Sequence, residues 1–173
     1  MTTIDRVCGV LDAHGIAHAL IGAAALAARG VARSTYDIDL ITTDPRVLNP
    51  NTWDSLRADG ANVDIRRGDA DDPLGGVVRI DAEPDRPVDL ILGKHAWHGR
   101  AVTRAERVPG GPPVVLARDL VLLKLYAGGP QDLWDVRELM QQPDAAALGE
   151  AVTADLVSLS PVMQDLWRQV CGR

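Results

Sequence analysis

The run "STYDIDLITTD" sets Asp37 and Asp39 two residues apart among Ile38, Leu40 and Ile41. Side chains alternate along a strand, so the two carboxylates share one face while Ile38 and Leu40 share the other. Asp is depleted in strands, and neighbouring carboxylates raise each other's pKa unless a cation intervenes. Asp89 has the same setting in "DRPVDLILG", with Val88, Leu90 and Leu92 on one face and Asp89 and Ile91 on the other. If the two strands pair, three carboxylates converge as hard oxygen donors suited to Mg2+. Taken alone, "DID" also reads as strand-end acids facing solvent.

Further residues bear on a charged ligand. "LIGAAALAARGVARST" sets Gly22 at a strand-to-helix junction ahead of Asp37. A helix N-terminus presents unpaired N–H groups to phosphate, and a glycine lets the backbone come close; the other reading of Gly22 is an ordinary turn. Lys124 lies in the apolar stretch "LVLLKLYA". A buried ammonium needs an anion, which a triphosphate or an internal Asp supplies; a Lys at the helix edge snorkels instead. Arg33 reads equally as a phosphate contact or a surface residue. Asp132 and Asp135, i and i+3 on one helix face, can orient Lys124, touch an acceptor or favour the helix N-terminus, the last being the reading for Asp135. His95 and His98 are also i and i+3, but no acidic or Cys partner has matching zinc spacing. Cys8 and Cys171 read as buried thiols.

These residues need a scaffold. Ile4, Val7, Cys8 and Leu11 recur at helical spacing over 2–14, with Gly15 as the stop. Strands are expected at 16–22, 34–43, 61–68, 77–82 and 85–93, with helices at 23–29 and 51–59. Residues 94–108 are ambiguous between strand and helix. "PGGPP" at 109–113 is the clearest break, and everything after it reads helical. The expected fold is α+β or mixed α/β, with a core over 1–108 and a helical C-terminal subdomain over 114–173.

The chain of 173 residues is 46% hydrophobic, enough for a real core, and carries a formal net charge of -6. With no basic run, an extended nucleic-acid surface is not expected. Four Trp, two Tyr and no Phe argue against a base-stacking platform. No apolar run approaches the ~20 residues that span a membrane, and the start lacks signal-peptide character; the expectation is a cytoplasmic protein.

The string "IG-x-x-A-L-x-x-x-G-x-x-R-x-T-x-D-I-D-L" resembles the signature of the polymerase-β-type nucleotidyltransferase superfamily, a Gly-Gly or Gly-Ser, a short helix, then Asp-x-Asp in an apolar strand. The likeness is greatest to small bacterial nucleotidyltransferase-like proteins of the abortive-infection or toxin–antitoxin kind. "LARDLVLLKLYAGGPQDLWDVREL" is similar to their later Lys helix and acidic element through Lys124, Asp132 and Asp135. The resemblance covers residues 16–140. It implies a mixed sheet flanked by helices, and two Mg2+ ions, or Mn2+ in their place, on the catalytic acids Asp37, Asp39 and Asp89. It also implies nucleotide contacts from Gly22, Ala23, Arg33, Thr35, Lys124 and Asp132. The implied reaction moves an NMP from an NTP to an RNA, protein or small-molecule hydroxyl, releasing pyrophosphate, in a toxin–antitoxin or phage-defence setting with a helical partner protein. Two departures stand out. Ala23 keeps the N–H of the usual second Gly or Ser but offers no hydroxyl. Gly129, Pro130, Gln131 and Asp132 replace an Arg-Pro-Lys-Asp, removing two positive charges. They leave open a catalytically weakened module that binds a nucleotide or partner.

Overall fold

The computed structural model describes residues 1–172. The chain divides into two compact units, one of Met1–Ala24 with Ser34–Val115, the other of Ala25–Arg33 with the chain from Leu116 onward.

The first unit is built on a five-stranded mixed sheet. Helix α1, Thr3–Ala13, is fixed at its start by a reciprocal cap in which Asp5 accepts from the Thr2 N–H and Thr2 accepts from the Asp5 N–H. Strands β1 (Ala19–Leu20), β2 (Ile38–Thr42), β3 (Asn62–Arg67), β4 (Leu74–Asp81) and β5 (Val88–Gly93) are ordered β1-β2-β5-β4-β3. Only β2 and β5 run parallel; the other pairings are antiparallel. The PGGPP break returns the chain beside β1, where the Leu20 N–H donates to Pro113 O and Leu20 O accepts from the Val115 N–H.

One sheet face makes the core. Leu40, Val78, Ile80, Val88 and Leu90 are fully buried with Val7 and Leu11 of α1 and with Trp53. The Trp53 indole N–H donates to Val47 O at 2.8 Å, so its polar atom is satisfied inside. Each such side chain contributes about 1.5–3 kcal/mol through burial. The alternation that sends Val88 and Leu90 inward turns Asp89 to the opposite face, and in β4 it does the same for Arg79 between Val78 and Ile80.

Three local expectations are revised. The strand expected over 16–22 is only Ala19–Leu20, and the one expected from residue 34 starts at Ile38. The Thr35 hydroxyl bonds the Asp37 carboxylate and carbonyl, a local turn that competes with strand pairing. The helix expected at 51–59 is instead a 3-10 turn, Pro50–Trp53, followed by α3, Asp54–Ala58; a further 3-10 turn, Pro45–Leu48, precedes them, and each 3-10 turn begins at a proline. The ambiguous stretch forms helix α4, Ala96–Thr103.

In the second unit the later part of α2 (Gly22–Ala28) joins α5 (Ala117–Ala127), α6 (Pro130–Leu139), α7 (Ala145–Leu156) and α8 (Pro161–Val170). Helix α5 ends at Gly128, whose φ of 67° is the left-handed cap that releases its N–H to Lys124 O. Val136, Leu139, Val152, Met163 and Trp167 are buried in this unit.

Candidate active site

Asp39 and Asp89 are direct partners in the parallel register of β2 and β5, and adjacent strands lie about 4.8 Å apart. Both alternate with buried apolar residues, so both leave the core on the same face. Asp37 lies just before β2, where the Ile38 N–H donates to Pro87 O and starts the ladder. Its carboxylate accepts from the Thr35 hydroxyl at 2.8 Å.

Gly22 stands directly against Asp39. The Ile21 N–H donates to Asp39 O at 2.9 Å, bringing the start of α2 onto β2. Gly22 has a φ of +62°, and a Cβ there would overlap the Asp39 carboxylate. Glycine is required twice over, for the left-handed backbone and for the space. Ala23, next along, is buried.

Arg79 was not singled out in the sequence, yet it organises this face. It is the antiparallel partner of Asp89 on one side and of Asp64 on the other, so Asp39, Asp89, Arg79 and Asp64 form one row across four strands. One guanidinium nitrogen, Nη1, donates to both Asp89 oxygens at 3.0 and 2.8 Å and lies 4.0 Å from Asp37 Oδ2. Nε reaches Asp81 at 3.3 Å. The Arg79 side chain is 33% exposed, whereas that of Asp89 is 19% exposed. Burial holds the Asp89 carboxyl above its ordinary value; the Arg79 charge works against this, and the charges of Asp37 and Asp81 add to it. A groove of about 150 Å³ beside the row is lined by Asp64, Arg66, Val77, Arg79 and Asp89. The alternation of Arg79 with Val78 and Ile80 was the available signal; the strand register that joins it to Asp89 is non-local.

The remaining candidates lie in the second unit and form their own network. Lys124 Nζ is 2.9 Å from Asp132 Oδ1 and 2.7 Å from Asp135 Oδ2. Arg33 Nη1 is 2.7 Å from the same Asp135 oxygen. Internal carboxylates thus supply the anion that Lys124, 11% exposed, requires. Asp132 also caps α6, accepting from the Gly129 N–H. The dipole reading of Asp135 is corrected: it is fully buried, and its role is to neutralise two cations from different segments.

Two other expectations resolve simply. His98 is fully buried and accepts from the His95 N–H through Nδ1, which requires a neutral ring. Burial, then the nearby His95, pushes its pKa down to about 4. Neither cysteine forms a disulfide; Cys171 is exposed rather than buried, while burial pushes the half-buried Cys8 thiol up to about 12.

The donor chemistry of Asp37, Asp39 and Asp89 suits a hard divalent cation. Among the described residues, however, no group of three or more His, Cys, Asp or Glu is closed up as a metal site. Arg79 grips Asp89 through both oxygens, and a cation that used this carboxylate would need that grip released. No helix is long and apolar enough to cross a membrane among the described residues.

No family model and no curated protein matches the chain. Among solved structures, the solution structure of the antibiotic-resistance factor ANT(2'')-Ia aligns with a TM-score of 0.57 at 18% identity, over 89% of each chain. ANT(2'')-Ia in complex with adenylyl-2''-tobramycin aligns with a TM-score of 0.51 at 19% identity, over 98% of this chain and 95% of that one. Terminal uridylyl transferase 4 from Trypanosoma brucei with bound GTP aligns at 14% identity over 93% of this chain and 55% of that one, with a TM-score of 0.40. The first two alignments give the fold, a nucleotidyltransferase-type mixed α/β architecture.

Proposed function

We propose that the protein is a metal-dependent nucleotidyltransferase that moves an NMP from an NTP to a hydroxyl of a small acceptor. The observation that carries this reading is the in-register pair Asp39 and Asp89 on parallel strands, with Asp37 on the same side and Gly22 pressed against Asp39. Acids brought together from separate segments are costly unless a cation uses them, and the resemblance of the Gly22 to Leu40 motif to nucleotidyltransferases favours a polyphosphate-bound cation as the user.

Each residue then has a task. Asp37, Asp39 and Asp89 would hold the divalent ions, Mg2+ or Mn2+. Thr35 fixes the Asp37 rotamer through its hydroxyl hydrogen bond. Gly22, by its missing Cβ, lets Asp39 lie against the backbone, and the Ala23 amide follows it at the start of α2. One carboxylate of the cluster takes the acceptor's proton as its oxygen attacks the α-phosphate, and pyrophosphate leaves. The cation, when bound, neutralises charge on the phosphates and lowers the pKa of the acceptor hydroxyl. Lys124, Arg33 and Asp132 are assigned to the internal ion-pair network of the helical unit, which takes up their charge.

The acid excess on this face supports a small, uncharged or cationic acceptor over RNA, since Asp37, Asp39, Asp64, Asp81 and Asp89 outnumber Arg66 and Arg79, which pair among them. ANT(2'')-Ia is known with adenylyl-2''-tobramycin, so aminoglycosides and other amino-polyols are the first acceptors to test. The toxin–antitoxin or phage-defence setting, with a helical partner, rests on the motif order alone, and co-expression toxicity tests it. Incubation with α-labelled NTPs, Mg2+ and an acceptor panel should give label transfer that Asp39→Asn abolishes. Absence of transfer across aminoglycosides, tRNA and protein would overturn the reading.

A second reading has its own observation. Arg79 already neutralises Asp89, as expected of a binding module that works without metal. Calorimetry separates the two: NTP affinity that rises strongly with Mg2+ supports the enzyme, and affinity indifferent to Mg2+ supports the module.

A further inference from the structure

We infer that Arg79 is a built-in counter-ion that occupies the cation position of the acid cluster and leaves Asp89 when a divalent metal binds. The inference rests on the metal-site reading above. Strand register sets Arg79 opposite Asp89, so its guanidinium stays within reach of the cluster. Nη1 contacts both Asp89 oxygens and stands 4.0 Å from Asp37, a position between two of the three acids. A guanidinium that engages both oxygens takes about half of the carboxylate's four lone-pair sites and neutralises its charge, so a metal must compete with it.

The arrangement is also releasable. The Arg79 side chain is one-third exposed, and Asp81 on the same strand already accepts from its Nε at 3.3 Å. Asp64, its partner in β3, lies on the other side and is itself bonded by Arg66. Arg79 therefore has a second carboxylate to hold when it gives up Asp89, without unfolding the strand. Arg79 acts through Asp89 and is a positioning residue: it keeps the acids from repelling one another before the metal arrives, and it sets a threshold that the metal must exceed.

Two readouts on the full-length protein test this, with Mn2+ or Mg2+ alone as the probe. Calorimetric Mn2+ titration should show binding roughly tenfold tighter in Arg79→Gln than in the wild type, the loss of a competitor worth ~1.4 kcal/mol, with Arg79→Lys intermediate. In the wild type, the Arg79 Nε–H resonance, assigned by its absence from Arg79→Lys, should shift and exchange faster with solvent as Mg2+ saturates. A merely structural arginine gives unchanged or weaker metal binding in the variant and a resonance indifferent to Mg2+, which overturns the inference. Circular dichroism and melting curves check folding of both variants, and the wild-type resonance keeps the test valid should Arg79→Gln not fold. If the wild type and both variants bind no divalent ion at all, the metal-site reading falls and the inference with it. If they bind equally, with the Asp89 pair intact, only the inference falls.

Discussion

Replacing Gly22 by alanine perturbs the site at one atom, and the structure gives two separable costs. A non-glycine residue at a φ of +62° carries about 1–2 kcal/mol of left-handed backbone strain. The new Cβ also meets the Asp39 carboxylate, which must leave its rotamer at about 1 kcal/mol. Together these predict a loss of ~2–3 kcal/mol, or roughly 5–10 °C in melting temperature for a chain of this size. Gly15 supplies the control: its φ is +63°, and a Cβ there meets nothing within 4 Å. Gly15→Ala should carry the backbone strain alone. Urea denaturation of both variants, and of Gly22→Ala in an Asp39→Ala background, isolates the clash. In that background only the Cβ of residue 39 remains, 3.0 Å from the new atom, and Gly22→Ala should cost ~1 kcal/mol less. Equal losses for Gly22→Ala and Gly15→Ala, with no coupling to residue 39, would refute the claim that Asp39 packs on Gly22.

Three further outcomes follow from other parts of the molecule. Asp135→Ala removes the carboxylate that Arg33 and Lys124 share, leaving Lys124 with Asp132 alone, and should lower stability by about 3 kcal/mol in urea, the low end for a broken buried pair; a loss under ~1 kcal/mol would show the pairs to be incidental. His98 has a pKa pushed down to about 4, below the ~6.5 of an unfolded histidine, so unfolding takes up a proton. Its contribution is complete above pH ~6.5 and fades as pH falls towards 4, about 2 kcal/mol between pH 7 and 5; Gln at position 98 should remove that component, and an unchanged pH slope would contradict the assignment. Ellman's reagent should modify Cys171 quickly in the folded protein and Cys8 only on unfolding, because Cys8 is half-buried with its thiol pushed to about 12; a fast phase that survives Cys171→Ser would count against this.

What the sequence carried was what local chemistry determines. The spacing of Val7 and Leu11, the alternation around Asp89, and the glycine ahead of Asp-x-Asp are short-range patterns, and the structure has the elements they imply. The revised pieces turned on competing local bonds. Thr35 ties Asp37 into a turn and delays β2, and Pro50 starts a 3-10 turn over the first residues of the expected helix, leaving α3 only Asp54–Ala58. Arg79, and the pairing of Asp135 with Arg33, were missed for a different reason. Their partners are distant in sequence, Asp89 through strand register and Arg33 through packing, and no periodicity encodes which charge meets which. An Asp on the same helix face as Val136 and Leu139 was nonetheless a sign of a buried acid in need of a cation.

The central claim is that Asp37, Asp39 and Asp89 hold divalent metal under a nucleoside triphosphate. Crystals grown with Mn2+ and a non-hydrolysable NTP, measured at the manganese edge, test it most directly. The account predicts an anomalous peak bounded by the three carboxylates with the polyphosphate beside it. A nucleotide bound elsewhere, with no peak between the acids and Arg79 still gripping Asp89, would contradict it.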